Sequence, residues 1–489
     1  MKAKFSPYLT RLAQFFRELS RELSKTYNYV SILSTDSVGL NIRISGRSKS
    51  VSSETMTTER GNVVRVHQNG LYSEYAFNDL DLEEALFPTA ERRLDYVRQM
   101  ADIIRNEVNR QMELLKRTET TVYTTPTLKD EPRVLLVEKE AKILPEEANV
   151  AEYVERLTEL SERGRNSMEG VLDCSMSAQC THICKMFITP NQYLRQSYVY
   201  AEGTAVLIAA NEETTKFSYE GVSGLGGMEI FDGLEEKLEV SIRHMKDLLS
   251  SGRIEPGEYD IITAPNVTGL IAHEAFGHGV EMDMFVKNRA LGQEYIGKRV
   301  GSDLVTMHEG ALCAESVTGF AFDDEGTPAG DVIEIDHGIL KTGICDALSA
   351  LRLGVEPTGN GKRQNYEHKV YTRMTNTVFD SGNDSLDDMI ASISHGYLLE
   401  GMESGMEDPK HWGIQCIISK GYEIRDGKLT GKVVSPVVMT GYVPDLLGSV
   451  SMASADREIE GNGGCGKGYK EWVKVADGGP YLKARARLG

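Results

Sequence analysis

Residues 269–283 read "GLIAHEAFGHGVEMD". His273 and Glu274 are adjacent, and His278 follows five positions after His273. Zinc proteases place H-E-x-x-H on a helix, where a step of four returns both histidines to one face. Five steps at about 100° each leave two side chains about 140° apart, so an undistorted helix does not aim both at one ion. Gly277 and Gly279 flank His278. They let the helix widen into a single π-type turn, or let it end and swing His278 round. The residues just before, "EYDIITAPNVT", read as a strand, a turn at Pro265 and Asn266, and then the helix start. The bland alternative is two histidines that pack or cap near a helix end.

A catalytic zinc needs three protein ligands and one open position. Nearby candidates for the third ligand are Glu281, Asp283, His308 and Glu309. The distant candidate is Cys465 in "GNGGCGKG" (461–468), where flanking glycines permit a close backbone approach and the thiolate is a good zinc ligand. Glu274 directly follows the first histidine, the position from which a carboxylate takes a proton from water acidified by the metal.

The chain has 489 residues, too many for one core, so two or three domains are expected. Its net charge of −19 argues against nucleic-acid binding, which needs clustered Lys and Arg to neutralise phosphates. No run of about 18 apolar residues is present, so no membrane span is expected. The N-terminus, "MKAKFSPYLTRLAQFFRELSREL", is charged throughout and lacks the apolar core of a secretory signal. Ser6 and Pro7 suit a helix start, and Leu9, Leu12, Phe16, Leu19 and Leu23 fall on one face. Seven scattered cysteines in a long chain without such a signal predict reduced thiols and a cytoplasmic setting.

Texture divides the chain. Strand-like alternation covers about 27–80, and a helical pattern covers about 89–117. A polar connector, "TTVYTTPTLKDEP", leads to the strand-like "RVLLVE". Helical stretches at about 146–167 and 234–251 bracket further strands, with the glycine-rich "GVSGLGGMEIFDG" (221–233) expected as a turn. The expected organisation is an N-terminal region 1–118, a middle region 119–250 that packs with it or stands alone, and a C-terminal metal-binding region 251–489. "CSMSAQCTHIC" (174–184) matches no common zinc or iron–sulfur spacing, so Cys174, Cys180 and Cys184 are expected to pack. "FDDEGTP" (322–328) lacks EF-hand spacing and reads as a polar turn. "NGKRQNYEHKVYTRMTN" (360–376) gathers Lys362, Arg363, His368, Lys369 and Arg373, suited either to a substrate carboxylate or carbonyl or to internal salt bridges.

Taken together and in this order, "GVSGLGG", "HEAFGHGVEMD", "DDEGTP", "GNGKR…YEHK…RMTNT" and "GGCGKG" resemble the TldD/PmbA family of metalloproteases, in its TldD-type, histidine-bearing form. The resemblance runs from about residue 20 to about 485. "CSMSAQCTHIC" and Thr372 depart from the family's pattern. The resemblance implies an α+β fold, with an N-terminal sheet-and-helix region and a β-rich C-terminal catalytic domain. It implies one zinc per chain held by His273, His278 and Cys465, with Glu274 as catalytic base. Substrates would be unfolded or short peptides, with Arg363, His368 and Arg373 as candidate substrate contacts. Partners would be a second copy or a PmbA-type subunit. The expected function is a zinc-dependent metallopeptidase. The alternatives are a non-catalytic peptide-binding subunit, or a zinc hydrolase acting on non-peptide amides.

Overall fold

The computed structural model describes residues 1–117, 123–468 and 471–489. The fold is α+β: an N-terminal sheet-and-helix region followed by a β-rich C-terminal region that carries the histidine helix. The boundary expected near 118 lies outside the described residues.

The first sheet draws its strands from both the N-terminal and the middle region. Its path runs Leu71–Phe77, Arg60–Gln68, Tyr29–Ile44, Val171–Ile188, Gln192–Ala210, Arg133–Glu138. Period-two alternation sorts its side chains. In the strands Tyr29–Ile44 and Val171–Ile188, even-numbered residues such as Ile32, Ile42, Met176 and Met186 face the helices Pro7–Leu23, Ala90–Arg117, Val150–Arg165 and Leu234–Leu249. Odd-numbered Leu33, Ile183 and Phe187 face C-terminal residues including Val317, Phe320 and Phe322. Cys174, Cys180 and Cys184 are separated by even steps, so all three lie buried on the helix-covered face as free thiols. The first helix starts where expected: the Ser6 side chain accepts from Leu9 N, and Leu9, Leu12, Phe16, Leu19 and Leu23 are buried.

The glycine-rich segment differs from its expected turn. Residues 221–225 close the strand Thr215–Leu225, and only then does the chain turn into the 3₁₀ segment Met228–Gly233. A Cβ on Gly221 would fall 2.5 Å from the Asn462 side chain, whose amide donates to Gly203 O and Val222 O. Here glycine admits a neighbour rather than reversing the chain.

The second sheet is organised on the strand Ala476–Leu488. That strand runs parallel to Asn376–Phe379 and antiparallel to Gly257–Thr263, Val437–Tyr442 and Met452–Glu460. The strand His395–Asp408 pairs with Gly413–Arg425 along its length, but with Gly257–Thr263 only over Gly396–Leu399. Among the described residues no helix is long and apolar enough to cross a membrane.

The turn "FDDEGTP" is present, but its acids are buried. Glu325 pairs with Arg65 and Asp324 with Lys185, which ties the turn to the first sheet.

Candidate metal centre

The strand Gly257–Thr263 ends at Ala264, and Pro265 opens the helix Pro265–Leu270. From Ile271 to Phe276 the helix widens into a π-turn, and Gly277–Val280 tightens to 3₁₀. This local change of pitch lets residues five apart meet. The His273 and His278 ring centroids lie 5.2 Å apart with planes at 87°. Gly277 is required on packing grounds as well, because a Cβ there would fall 2.2 Å from Met374 Sδ.

Cys465 comes from the hairpin Gly464–Lys467/Glu471–Lys474. Its Sγ lies 3.4 Å from His278 Nε2, and one donor atom each of His273, His278 and Cys465 lies within 4.8 Å of the others. Cys465 and His273 are nearly shut off from solvent, while His278 is half-buried. Burial alone would push the Cys465 thiol up, but His273 and His278 hold it well below the usual thiol range. In return, the thiolate outweighs the burial of His273 and raises that imidazole to about 8.

Outer partners orient the set. His278 Nδ1 and Glu281 Oε2 lie 3.1 Å apart, so an Nδ1–H donated there leaves Nε2 as the ligand atom. Glu281 is buried, yet Lys467 and His278 hold its carboxyl at about 2. Lys467 Nζ lies 3.0 Å from Glu281 Oε2 and 2.7 Å from Asp283 Oδ1, locking the cysteine hairpin to the segment after the helix. His273 Nδ1 is buried and has no partner among the described residues, as is Asp477 Oδ1. A Cβ on Gly269, one turn before His273, would fall 2.3 Å from that Asp477 oxygen. Two imidazoles and a thiolate form a compact donor set of the kind zinc takes, so these residues fit the ion the sequence resemblance implies.

Glu274 Oε2 lies 3.9 Å from His278 Nε2. Burial pushes its carboxyl up, and the two histidines oppose that. The strand His395–Asp408 crosses close over it: a Cβ on Gly405 would fall 2.5 Å from Glu274 Cγ. The cleft in front of the centre has a volume of about 1130 Å³, with Met402, Met406, Glu403 and Glu407 of that strand in its wall.

The other candidates are placed elsewhere. Glu309 accepts from Thr375 N and Thr377 Oγ1, His308 pairs with Asp331 and Asp380, and Asp283 binds Lys467 and Lys287. Arg363, His368 and Arg373, the residues read as substrate contacts, do not line the cleft. Arg363 pairs with Glu74 at 3.0 Å, and His368 Nδ1 contacts Asn365. Arg373 is buried and donates to Glu471 O and Cys465 O, holding the cysteine hairpin in place. Glu281 and Lys467, which lie inside "HEAFGHGVEMD" and "GGCGKG", and Glu407 and Asp477, which carry no motif, complete the surroundings. The one signal for Lys467 was its place two residues after Cys465.

Residues 256–485 match the family model described as PmbA/TldA metallopeptidase C-terminal domain. The chain is 34% identical over 239 residues to "Metalloprotease TldD homolog" of Buchnera aphidicola subsp. Acyrthosiphon pisum, covering 48% of each protein. It is 29% identical over 264 residues to "Zinc metalloprotease TldD homolog" of Saccharolobus solfataricus, covering 53% of this chain and 57% of the relative. The chain spans about half to three fifths of the length of the curated relatives it matches. The fold is that of TldE from Thermococcus kodakarensis, with a TM-score of 0.73 at 16% identity over 97% of this chain and all of that one. Residues 256–485 are thus similar in sequence to the C-terminal domain of the PmbA/TldA metallopeptidases, and the fold along nearly the whole chain is that of TldE.

Proposed function

We propose that the protein is a zinc-dependent peptidase acting on unfolded or short peptides. The observation that carries this reading is the convergence of His273, His278 and Cys465 within 4.8 Å beside the Glu274 carboxylate, at the wall of a cleft. Names of relatives that include "metalloprotease" and "zinc metalloprotease" support it. His273, His278 and Cys465 would hold one zinc per chain. Bound there, zinc supplies Lewis acidity, polarising a carbonyl and acidifying a water.

The chain's own residues do the rest. Glu274 holds the proton taken from the attacking water on a carboxylate oxygen and returns it to the departing amine nitrogen. Glu281 fixes the His278 tautomer. Past Leu399, the strand His395–Asp408 has left its pairing with Gly257–Thr263, and Met402–Glu407 line the cleft. That edge binds an extended peptide through main-chain hydrogen bonds, which tolerates many side chains. The working form is a dimer in the cytoplasm, either of two copies or with a PmbA-type subunit, as the family resemblance implies.

The test is cleavage of an unstructured reporter peptide by the purified protein, with metal content measured before and after chelation. One zinc per chain, with loss on chelation and recovery on zinc addition, is the expected result. Stoichiometric zinc without cleavage, alone or with a PmbA-type partner, sinks the peptidase reading in favour of a peptide-holding subunit. Cleavage of small amides but not peptides moves it to a non-peptide amidohydrolase.

A further inference from the structure

The segment "GMESGMEDPKHW" (401–412) carries no motif, yet it brings an acid to the metal centre. Glu407 projects from the cleft-lining strand His395–Asp408. Both of its carboxylate oxygens are shut off from solvent; the Gly279 backbone N–H faces them, and neither has a side-chain hydrogen-bond partner among the described residues. A Cβ on Gly279, the residue after His278, would fall 2.4 Å from Glu407 Oε1. The carboxylate therefore lies against the backbone of the metal-site helix, and Gly279 makes room for it.

No lysine or arginine among the described residues pairs with Glu407. Two nearby lysines are taken: Lys467 binds Glu281 and Asp283, and Lys287 binds Asp283. The other acids of this wall, Glu274, Glu403 and Asp477, add negative field rather than relieve it. Burial pushes the Glu407 carboxyl well above the usual carboxylate range, with His278 opposing. A carboxylate withdrawn from water with no lysine or arginine beside it is costly, and a cation brought alongside lowers that cost. Beyond the zinc proposed for the neighbouring donor set, a cationic group of the substrate can supply it.

We propose that Glu407 receives an alkylammonium group of the substrate, either its free α-amine or a lysine side chain, and holds it beside the metal centre. The assignment rests on the peptidase reading and adds the substrate class. An ammonium carries three donors on a compact charge, which suits a confined carboxylate on a strand edge that also presents main-chain carbonyls. An α-amine held there sets cleavage near the N-terminus. A lysine side chain held there sets a preference for lysine near the scissile bond.

The experiment uses the zinc-loaded full chain, with its partner subunit if activity needs one, and three matched fluorogenic peptides. The first has a free N-terminus and one lysine. The second is the same peptide N-acetylated. The third is acetylated with norleucine replacing the lysine. Wild type is expected to lose about tenfold or more in kcat/KM at one of the two steps, the size of a charge-assisted contact. Loss on acetylation identifies the α-amine; loss on lysine removal identifies the side chain. E407Q is expected to flatten that ratio. Equal kcat/KM on all three peptides with wild type overturns the assignment while leaving the peptidase reading intact.

Binding supplies a second readout that needs no turnover. In an E274Q background, calorimetry with the same peptides should show the same order of affinities, and E274Q/E407Q should abolish it. If wild type cleaves nothing while this affinity order holds, the peptidase reading fails and the ammonium site stands. An unchanged ratio in E407Q, with wild type showing the preference, also overturns the assignment. It would leave Glu407 a structural neighbour of Trp412, whose Nε1 lies against the same Gly279 position.

Discussion

Cys465 Sγ lies 3.4 Å from His278 Nε2, although 187 positions separate the two residues. The contact joins the hairpin near the end of the chain to the helix that opens the C-terminal region. Cys465→Ser keeps the volume but replaces a thiolate with a neutral hydroxyl. Zinc affinity should fall by more than the roughly ten- to hundredfold that loss of an outer partner costs. Metal content by mass spectrometry after dialysis against a weak chelator reads this directly. Full zinc retained in the variant would remove Cys465 from the ligand set.

Glu274 sits beside the donor set without belonging to it. Glu274→Gln preserves shape and removes the base. Zinc content should stay at the wild-type value, and peptide cleavage should drop by about 10²–10⁴-fold in kcat. A variant that cleaves at the wild-type rate would mean that another group moves the proton.

Glu281 touches His278 on the nitrogen facing away from Cys465. Glu281→Gln keeps one acceptor but loses the charge that also holds Lys467. Zinc affinity should weaken by about ten- to hundredfold with the donor set intact. Competition against a chromophoric chelator measures it. Affinity equal to wild type would show that His278 needs no carboxylate to fix its tautomer.

Much of this architecture was readable in sequence where a single element carries its own signal. The 3.6-residue spacing of Val97, Met100 and Ile104 marks the helix Ala90–Arg117, and glycines at 277 and 279 mark where a helix can change pitch. What escaped depends on contacts between distant segments. In sequence Arg373 and Arg363 suit substrate contacts and internal salt bridges equally well. Burial gives them internal partners: the carbonyls of Glu471 and Cys465 for one, Glu74 for the other. Gly221 reads as a turn residue, because nothing local reveals that Asn462 lies against it. Even the five-residue histidine spacing predicts only that the helix must distort. Spacing alone left Cys465 among several candidates, and the family resemblance singled it out.

Glu74 joins the two halves of the molecule through charge. It lies 2.7 Å from Arg65 of its own sheet and 3.0 Å from Arg363 of the C-terminal region. Burial alone would push its carboxyl up, but Arg363 and Arg65 outweigh that and hold it at about 2, against an ordinary 4.5. The folded value lies below the unfolded one. The stabilisation is therefore fully present above about 4.5 and is lost as pH falls toward 2. Glu74→Gln should destabilise the protein by roughly 3 kcal/mol at neutral pH, because two guanidinium groups lose a shared carboxylate. The gap between wild type and variant should then narrow on acidification below about 4.5, as wild-type Glu74 also becomes neutral. Chemical denaturation at a series of pH values measures both effects. A gap that stays constant through the acid range would show that the variant's loss comes from packing rather than from the charge.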